Sequence, residues 1–258
     1  MQQRALQHAM AGLTLLLEHT QVPLPLDPIS WGRAGIVNPK LPLGTIHDMS
    51  HAALIQLQRN SGAVNPRYAP EPSVRLENVR LALALLSRLV CYRMWSFGVQ
   101  QFLKLVTTTM RNHSTCVEVQ LHGATILAKH CQLRSYDAYI AVRAAGAVEL
   151  LVALIARDPA TYAGSEPDTP TAAEAVVATA CHALNLLLEA KLASAFARDE
   201  QEMKLRRAAL LNDTVKAGGI EALVGVLASH YTHGAIPPPQ VCLAPVLNMP
   251  PIAALTPL

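Results

Sequence analysis

Apolar residues recur along this chain at the three- and four-residue spacing of an α-helix, and one segment of that pattern occurs three times. Each copy carries a glycine near its start and continues into apolar residues at helical spacing; the copies lie at residues 96–106, 144–155 and 217–227. A unit that recurs in this way cannot bury its apolar face alone and relies on neighbouring copies. The pattern therefore predicts a stack of helical repeats, an architecture typical of binding scaffolds.

The same spacing predicts individual helices separated by proline-rich breaks. Helices are predicted at residues 1–20, 47–58, 74–89, 99–110, 117–131, 136–143 and 172–190, with an exposed helix over 198–207. Proline removes a backbone donor and clashes with the preceding turn. Irregular segments are therefore predicted at 21–45, 60–73, 158–171 and 234–258.

These elements give the predicted domain organisation. The chain divides into an N-terminal amphipathic helix (1–20), a proline-rich irregular segment with one short helix (21–73), about three repeats with a loop insertion at 158–171 (74–230), and a proline-rich tail (231–258). The third repeat lacks a final helix in this interpretation, because the tail begins where that helix is expected. An open C-terminal edge of this kind exposes apolar surface and is a predicted site of self-association.

Composition narrows the fold class to all-α. Apolar residues make up 51% of the chain and aromatic residues only 4%, so Leu and Ala carry the core. These residues suit close helix-on-helix packing, whereas β-sandwiches and barrels rely on Val, Ile, Thr and aromatic residues. No apolar run approaches the ~20 residues of a membrane-spanning helix, and no membrane span is predicted.

The order of short helix, glycine turn, apolar helix, polar turn and long apolar helix resembles an armadillo repeat. The segment that carries the resemblance best is residues 110–131, MRNHSTCVEVQLHGATILAKHC, and the similarity extends over about 74–230. HEAT repeats are the second similar family. The resemblance implies an armadillo-like right-handed α-α superhelix with proline-rich loops, acting in protein–protein interaction.

The resemblance also implies a binding groove along the third helix of each repeat. In family members that bind extended basic peptides, this helix offers an asparagine and, one turn earlier, a tryptophan. Here the asparagine position holds Arg88, Lys129 and Leu186, and the only tryptophans lie outside the aligned positions. The candidate partner-binding residues are therefore Arg88, Lys129, Asn185 and Leu186, lining a shallow groove for an acidic peptide or helix rather than a basic one.

Charge supports an acidic partner. Residues 59–134 hold ten bases against three acids, a net charge of +7, whereas the chain from residue 135 onward carries −4. Nucleic acid or an anionic surface is the alternative ligand for the basic centre. It is disfavoured because Phe97, Phe102 and Phe196 have core spacing, whereas nucleic-acid sites commonly use exposed aromatic residues for base stacking. A further alternative is a structural fragment of a longer solenoid with no site of its own.

Reactive residues are present, but no pattern among them predicts catalysis, a cofactor or a metal. Cys116, His122, His130 and Cys131 lack the spacing of a zinc site. Cys181 and His182 are adjacent in sequence, and adjacent helical residues point about 100° apart. The cysteines lie mostly in apolar helical stretches and are odd in number, which favours a reducing compartment, the cytoplasm or nucleus. The prediction is a non-catalytic protein.

Overall fold

The computed structural model describes residues 43–61, 72–90, 98–132, 136–158, 161–162, 169–189 and 200–232. About 89% of these residues are helical and none of them forms a strand, so the all-α prediction is confirmed for this part of the chain. The described helices are α1 (Leu43–Asn60), α2 (Pro72–Leu89), α3 (Val99–Asn112), α4 (Val117–Gln132), α5 (Tyr136–Ala144), α6 (Ala147–Ile155), α7 (Thr169–Glu189), α8 (Glu200–Lys216) and α9 (Gly219–Thr232). The predicted N-terminal helix and proline-rich tail lie outside the described residues.

The chain divides into two compact units, Met1–His113 and Ser114–Leu258. In the first unit, α1 packs chiefly against α2 and makes a smaller contact with α3. Leu54, Leu57 and Leu83 are at most 2% exposed and form part of its core. Proline fits the first position of a helix because the amide hydrogen it lacks would have no partner there, which explains why α2 begins at Pro72 and not after it.

The second unit is centred on α7, which packs against α4 and α6. Its core contains Ile126, Leu127, Leu151 and Leu154, each at most 1% exposed. Arg157, just after α6, donates a hydrogen bond to the carbonyl of Ser114 at the start of the unit. Its guanidinium lies 5.6 Å from the centre of the Tyr162 ring, a cation–π contact, so this side chain fixes the connection after α6.

Helix boundaries agree with prediction to within two residues from α2 to α5, and helix α4 extends one residue beyond the predicted 117–131. Helix α7 begins at Thr169, three residues before the predicted start and inside the segment predicted to be irregular at 158–171. Larger differences occur at α1 and α8. Helix α1 spans 18 residues instead of the short predicted helix at 47–58, because Gly44 and Thr45 do not prevent helix formation after Pro42. Helix α8 continues through Lys216, so the predicted exposed helix at 198–207 leads directly into the third glycine segment.

Two of the three glycine segments form the same turn. Gly146 and Gly218 have φ angles of 65° and 79°, the left-handed conformation that glycine adopts without steric cost. At the first turn the amide of Ala145 donates to the carbonyl of Ala141, and that of Gly146 to Arg143; both bonds recur at the second turn with the same spacing. The second and third glycine segments therefore form two helix–turn–helix pairs with matching turns, α5–α6 (hairpin A) and α8–α9 (hairpin B).

The first glycine segment does not form this turn. Gly98 has a φ of −52° and stands at the N-terminus of α3 without a side-chain cap. An angle of this kind is open to any residue. The prediction of three equivalent copies is therefore wrong at the turn of the first copy, although a helix follows each glycine.

Hairpins A and B pack on each other. A β-carbon placed on Gly219, the first residue of α9, would lie 3.4 Å from the Val152 Cγ2 atom on α6. At the exposed side of the pair, the Arg143 Nε atom lies 2.6 Å from the Asp213 Oδ2 atom. These contacts bring the start of α9 beside α6 and join α5 to α8.

Candidate functional site: the basic end of the first unit

Charge divides between the two units. Met1–His113 holds eleven bases and five acids, a net charge of +6, and Ser114–Leu258 holds ten bases and thirteen acids, a net charge of −3. The predicted basic centre at 59–134 therefore spans the boundary, and most of its excess belongs to the first unit. Helices α1 to α3 alone carry six bases against two acids.

Three helix ends meet at one end of the first unit. Helix α1 ends at Asn60 and α3 at Asn112, and the Asn112 Nδ2 atom donates a 2.6 Å hydrogen bond to the Ser61 carbonyl. The side chain of His113 makes a hydrogen bond to the Asn60 backbone and senses the charge of Arg75, in the first turn of α2. The ends of α1 and α3 therefore lie beside the beginning of α2.

Three arginines accompany these ends. Arg59 stands in the last turn of α1 and Arg111 in the last turn of α3, and both are exposed. Arg75 is half-buried beside His113. We call Arg59, Arg75, Arg111 and His113 the basic end.

Two acids, Asp48 and Glu77, accompany the six bases of helices α1 to α3. Glu77 accepts an ion pair from Arg80, with Nη2 and Oε2 2.9 Å apart. Asp48 precedes Arg59 by eleven helical residues, which separates their backbones by about 16 Å at 1.5 Å per residue. Arginine in the last helical turn also interacts favourably with the carbonyl end of the helix, so Arg59 and Arg111 stabilise their own helices as well.

The environment of His113 favours its neutral form. Burial lowers its pKa, the neighbouring Arg75 charge lowers it further, and the hydrogen bond to Asn60 raises it in part. At neutral pH the positive charge of this end therefore resides on the arginines. An anion bound beside Arg75 would offset that charge and raise the pKa of His113.

The four predicted groove residues are divided between the two units, and only Arg88 belongs to the first. Arg88 is exposed in the last turn of α2, thirteen residues and about 20 Å of helix from Arg75. Lys129 and Asn185 are half-buried on α4 and α7, two helices that pack together in the second unit. Leu186 is only 9% exposed, so it belongs to the core of that unit.

The sequence places Arg59, Arg75 and Arg111 in one basic stretch, but it does not predict that they are neighbours in space. They are spread over 53 positions on three helices, and only the packing of those helices makes them neighbours. The available signal was local: Arg59 and Arg111 both precede an asparagine at a helix end.

The three cysteines of the described residues are buried or half-buried. Burial raises the pKa of Cys131 to about 12, which keeps it as a thiol. Cys116 donates a 3.2 Å hydrogen bond to Glu118, and burial raises its pKa. Cys181 is fully buried. Within the described residues, no group of three His, Cys, Asp or Glu side chains is placed to hold a metal ion.

One buried histidine, His130, and one half-buried histidine, His113, predict acid sensitivity. Burial lowers the pKa of His130, whose Nδ1 atom lies 3.1 Å from the Ile126 carbonyl, and that of His113. Because the unfolded chain then binds more protons, stability is full above the ordinary pKa of about 6.5 and falls as the pH drops through the lower folded values. Urea midpoints measured from pH 7.5 to 5 are expected to decrease, and the decrease should be smaller in His130→Gln; an equal decrease would contradict a buried neutral His130.

Comparison with known proteins adds no identity. No protein-family model, curated protein or solved structure matches the chain. Among the described helices, none combines the length and apolar character that crossing a membrane requires.

Proposed function

We propose that this chain is a non-catalytic helical scaffold that binds an acidic polypeptide segment through the basic end of the first unit. The proposal rests on one observation. Three helix ends meet in the first unit and bring Arg59, Arg75 and Arg111 to one end of it, and the net charge of this unit is +6. Arginine suits this role because its planar guanidinium forms paired hydrogen bonds with a carboxylate.

The expected affinity is modest and depends on salt. An exposed ion pair contributes about 0.2–1 kcal/mol, so two or three arginine–carboxylate pairs support weak, reversible binding. Charges separated by more than about 10 Å are screened at 0.1 M salt. A short segment with several closely spaced Asp or Glu residues therefore fits the basic end better than a single carboxylate.

The scaffold part of the proposal is an armadillo-like α-α superhelix. Its support is the recurrence of one turn in hairpins A and B, with the same hydrogen bonds, the same left-handed glycine and packing of one hairpin on the next. A stack of this kind offers an extended surface without a catalytic centre. The cytoplasm or nucleus is the proposed location, because the buried thiols of Cys131 and Cys181 form no disulfide and thiols stay reduced there.

Nucleic acid is the alternative ligand for the same charges. Phosphate contacts alone give sequence-independent binding that weakens steeply with salt, whereas single-strand binding commonly adds aromatic stacking. Phe102 on α3 is 5% exposed, so this aromatic side chain is not available to stack on a base. That burial favours the polypeptide over the nucleic acid.

Fluorescence anisotropy with two labelled probes tests the proposal. The probes are a twelve-residue peptide of alternating glutamate and serine and a single-stranded DNA of twelve thymidines, each titrated at 50 and 200 mM salt. The test variant is Arg59→Glu with Arg111→Glu. The matched control is Arg88→Glu with Lys104→Glu, which changes the charge of the same unit equally at two other exposed positions.

We expect the test variant to lose at least tenfold in peptide affinity and the control less than threefold. Equal losses would mean that the peptide is attracted by net charge or contacts the predicted groove position Arg88 as strongly as the basic end, and either result would overturn the site. Failure of the unmodified chain to bind the peptide at 50 mM salt would overturn the function. DNA binding tighter than peptide binding, with the same loss in the test variant, would favour nucleic acid instead. Circular dichroism checks that each variant is folded.

A further inference from the structure

The charge of Arg75 acts on His113 without a counter-ion at the arginine's buried nitrogen. Burial lowers the pKa of His113, and the Arg75 charge lowers it further. The Arg75 Nε atom is buried and has no hydrogen-bond acceptor among the described residues. Most buried donors in proteins have such an acceptor, and a carboxylate in that role would offset the arginine charge. A ligand that brings carboxylates to Arg75 therefore changes the surroundings of His113.

Asn60 acts on the same ring in the opposite direction. The hydrogen bond between the His113 ring and the Asn60 backbone raises the pKa of His113, so the ring donates and the Asn60 carbonyl accepts. Asn60 is 3% exposed and held in place, because its Nδ2 atom donates a 2.7 Å hydrogen bond to the Gln56 carbonyl. Its Oδ1 atom is a second buried acceptor, with no partner among the described residues. Acceptors favour the charged ring, so Asn60 and Arg75 oppose each other at His113.

The hydrogen bond to Asn60 also determines what protonation changes. A neutral imidazole carries one N–H group, and in His113 that group donates to the Asn60 carbonyl. The other ring nitrogen therefore carries a hydrogen only in the charged form. Uptake of a proton leaves the existing hydrogen bond in place and adds one positive charge to the basic end.

The charges that the neighbouring helix ends bring to His113 have the same sign as Arg75. Arg59 stands in the last turn of α1 and Arg111 in the last turn of α3. Of the two acids on helices α1 to α3, Glu77 is already in an ion pair, and Asp48 lies about 16 Å along α1 from Arg59. A proton on His113 thus adds a fourth positive charge to three arginines, and like charges disfavour it.

We propose that binding of an acidic segment to the basic end is coupled to the uptake of one proton by His113, which makes the binding tighter in mildly acidic solution. This inference rests on the peptide site proposed above. Carboxylates placed against the arginines offset the charge that opposes protonation of His113. Because linkage is reciprocal, a ligand that favours the protonated ring is itself bound more tightly by the protonated protein.

The pH range of the effect follows from the same groups. In the free protein the pKa of His113 lies below its ordinary value of about 6.5, and bound carboxylates move it upward. The extra affinity is therefore fully present below the pKa of the free protein and is lost as the pH rises above the pKa of the complex. Glutamate has an ordinary pKa of about 4.3, so an acidic peptide stays charged between pH 7.5 and 5.5, where histidines titrate.

Two measurements on the full-length chain test the coupling. The first is the dissociation constant of the twelve-residue glutamate–serine peptide at 50 mM salt and pH 7.5, 6.5 and 5.5, by fluorescence anisotropy. It compares the unmodified chain with His113→Gln and with the control His51→Gln, because His51 is exposed on α1, about 12 Å along the helix from Arg59. Glutamine keeps a side-chain donor but cannot gain a charge. The second is an NMR titration of the His113 ring protons in the unmodified chain, with and without saturating peptide.

We expect the unmodified chain and His51→Gln to bind the peptide at least threefold more tightly at pH 5.5 than at pH 7.5. The gain in His113→Gln should be less than half as large, and saturating peptide should raise the pKa of His113 in the NMR titration. An equal gain in His113→Gln, or a His113 pKa that the peptide leaves unchanged, would overturn the coupling and leave the peptide site standing. Absence of peptide binding at all three pH values would overturn both. Circular dichroism at pH 5.5 checks folding, and the NMR titration decides the question if His113→Gln does not fold.

Discussion

Replacing Val152 with aspartate is expected to lower the free energy of unfolding by about 3 kcal/mol or more. Val152 is 2% exposed and lies against hairpin B. A carboxylate at this position would be buried without a partner, and the effective penalty for a buried unpaired charge is several kcal/mol. The same substitution at Val224, which lies six residues after Gly218 as Val152 lies six after Gly146 and is 51% exposed, is expected to cost about 1 kcal/mol or less, because the carboxylate can stay in water.

Urea denaturation followed by circular dichroism measures this pair of substitutions. The two valines occupy equivalent positions of the repeated hairpin, so helix propensity and side-chain chemistry are matched. A similar decrease in both variants would contradict the packing of hairpin B on α6. A small decrease in stability for Val152→Asp would also contradict this packing, because an exposed α6 would tolerate the charge.

Replacing Gly219 with alanine is expected to destabilise the protein by about 1–3 kcal/mol, the usual cost of forcing an extra carbon into a packed site. The new β-carbon would lie 2.6 Å from the Thr214 Cγ2 atom and 2.8 Å from the Thr214 carbonyl oxygen. Thr214 cannot move aside easily, because it is fully buried and its hydroxyl donates a 2.9 Å hydrogen bond to the Leu210 carbonyl.

Gly225→Ala is the matched control for Gly219→Ala. The β-carbon at Gly225 meets nothing within 4 Å, and alanine is favoured over glycine inside a helix by about 0.5–1 kcal/mol. The two alanine substitutions on α9 are therefore expected to shift the urea midpoint in opposite directions. An increase for Gly219→Ala would show that α8 and α9 do not approach each other closely at this turn.

The sequence predicted the parts of the fold that local physics determines. Helix α4 and the turns at Gly146 and Gly218 follow from apolar spacing and from the tolerance of glycine for positive φ. The same glycine pattern around Gly98 produced a different backbone, because a glycine permits a left-handed turn without requiring one. The burial difference between Val152 and Val224 also has no local cause, since both lie in nearly the same sequence and differ in what packs on them.

The candidate site was less accessible to sequence reasoning than the helices. The groove prediction for Arg88 rests on its alignment with a position in a family and stays a prediction. Arg88 stands at the opposite end of α2 from Arg75, so it is not part of the basic end. The basic end depends on the contact of the α1 and α3 ends through Asn112 and Ser61. A contact between residues 51 positions apart leaves no trace in the spacing of apolar residues.

The packing of hairpin B on hairpin A is the central structural claim, because the proposed scaffold rests on it. A nuclear Overhauser measurement on protein with labelled valine methyl groups and glycine tests it directly. The structure predicts a cross-peak between a Val152 methyl group and the α-protons of Gly219, since Cγ2 lies 3.4 Å from the position of a β-carbon on that glycine. Absence of this cross-peak, with both residues assigned and α6 and α9 still helical, would contradict the stack.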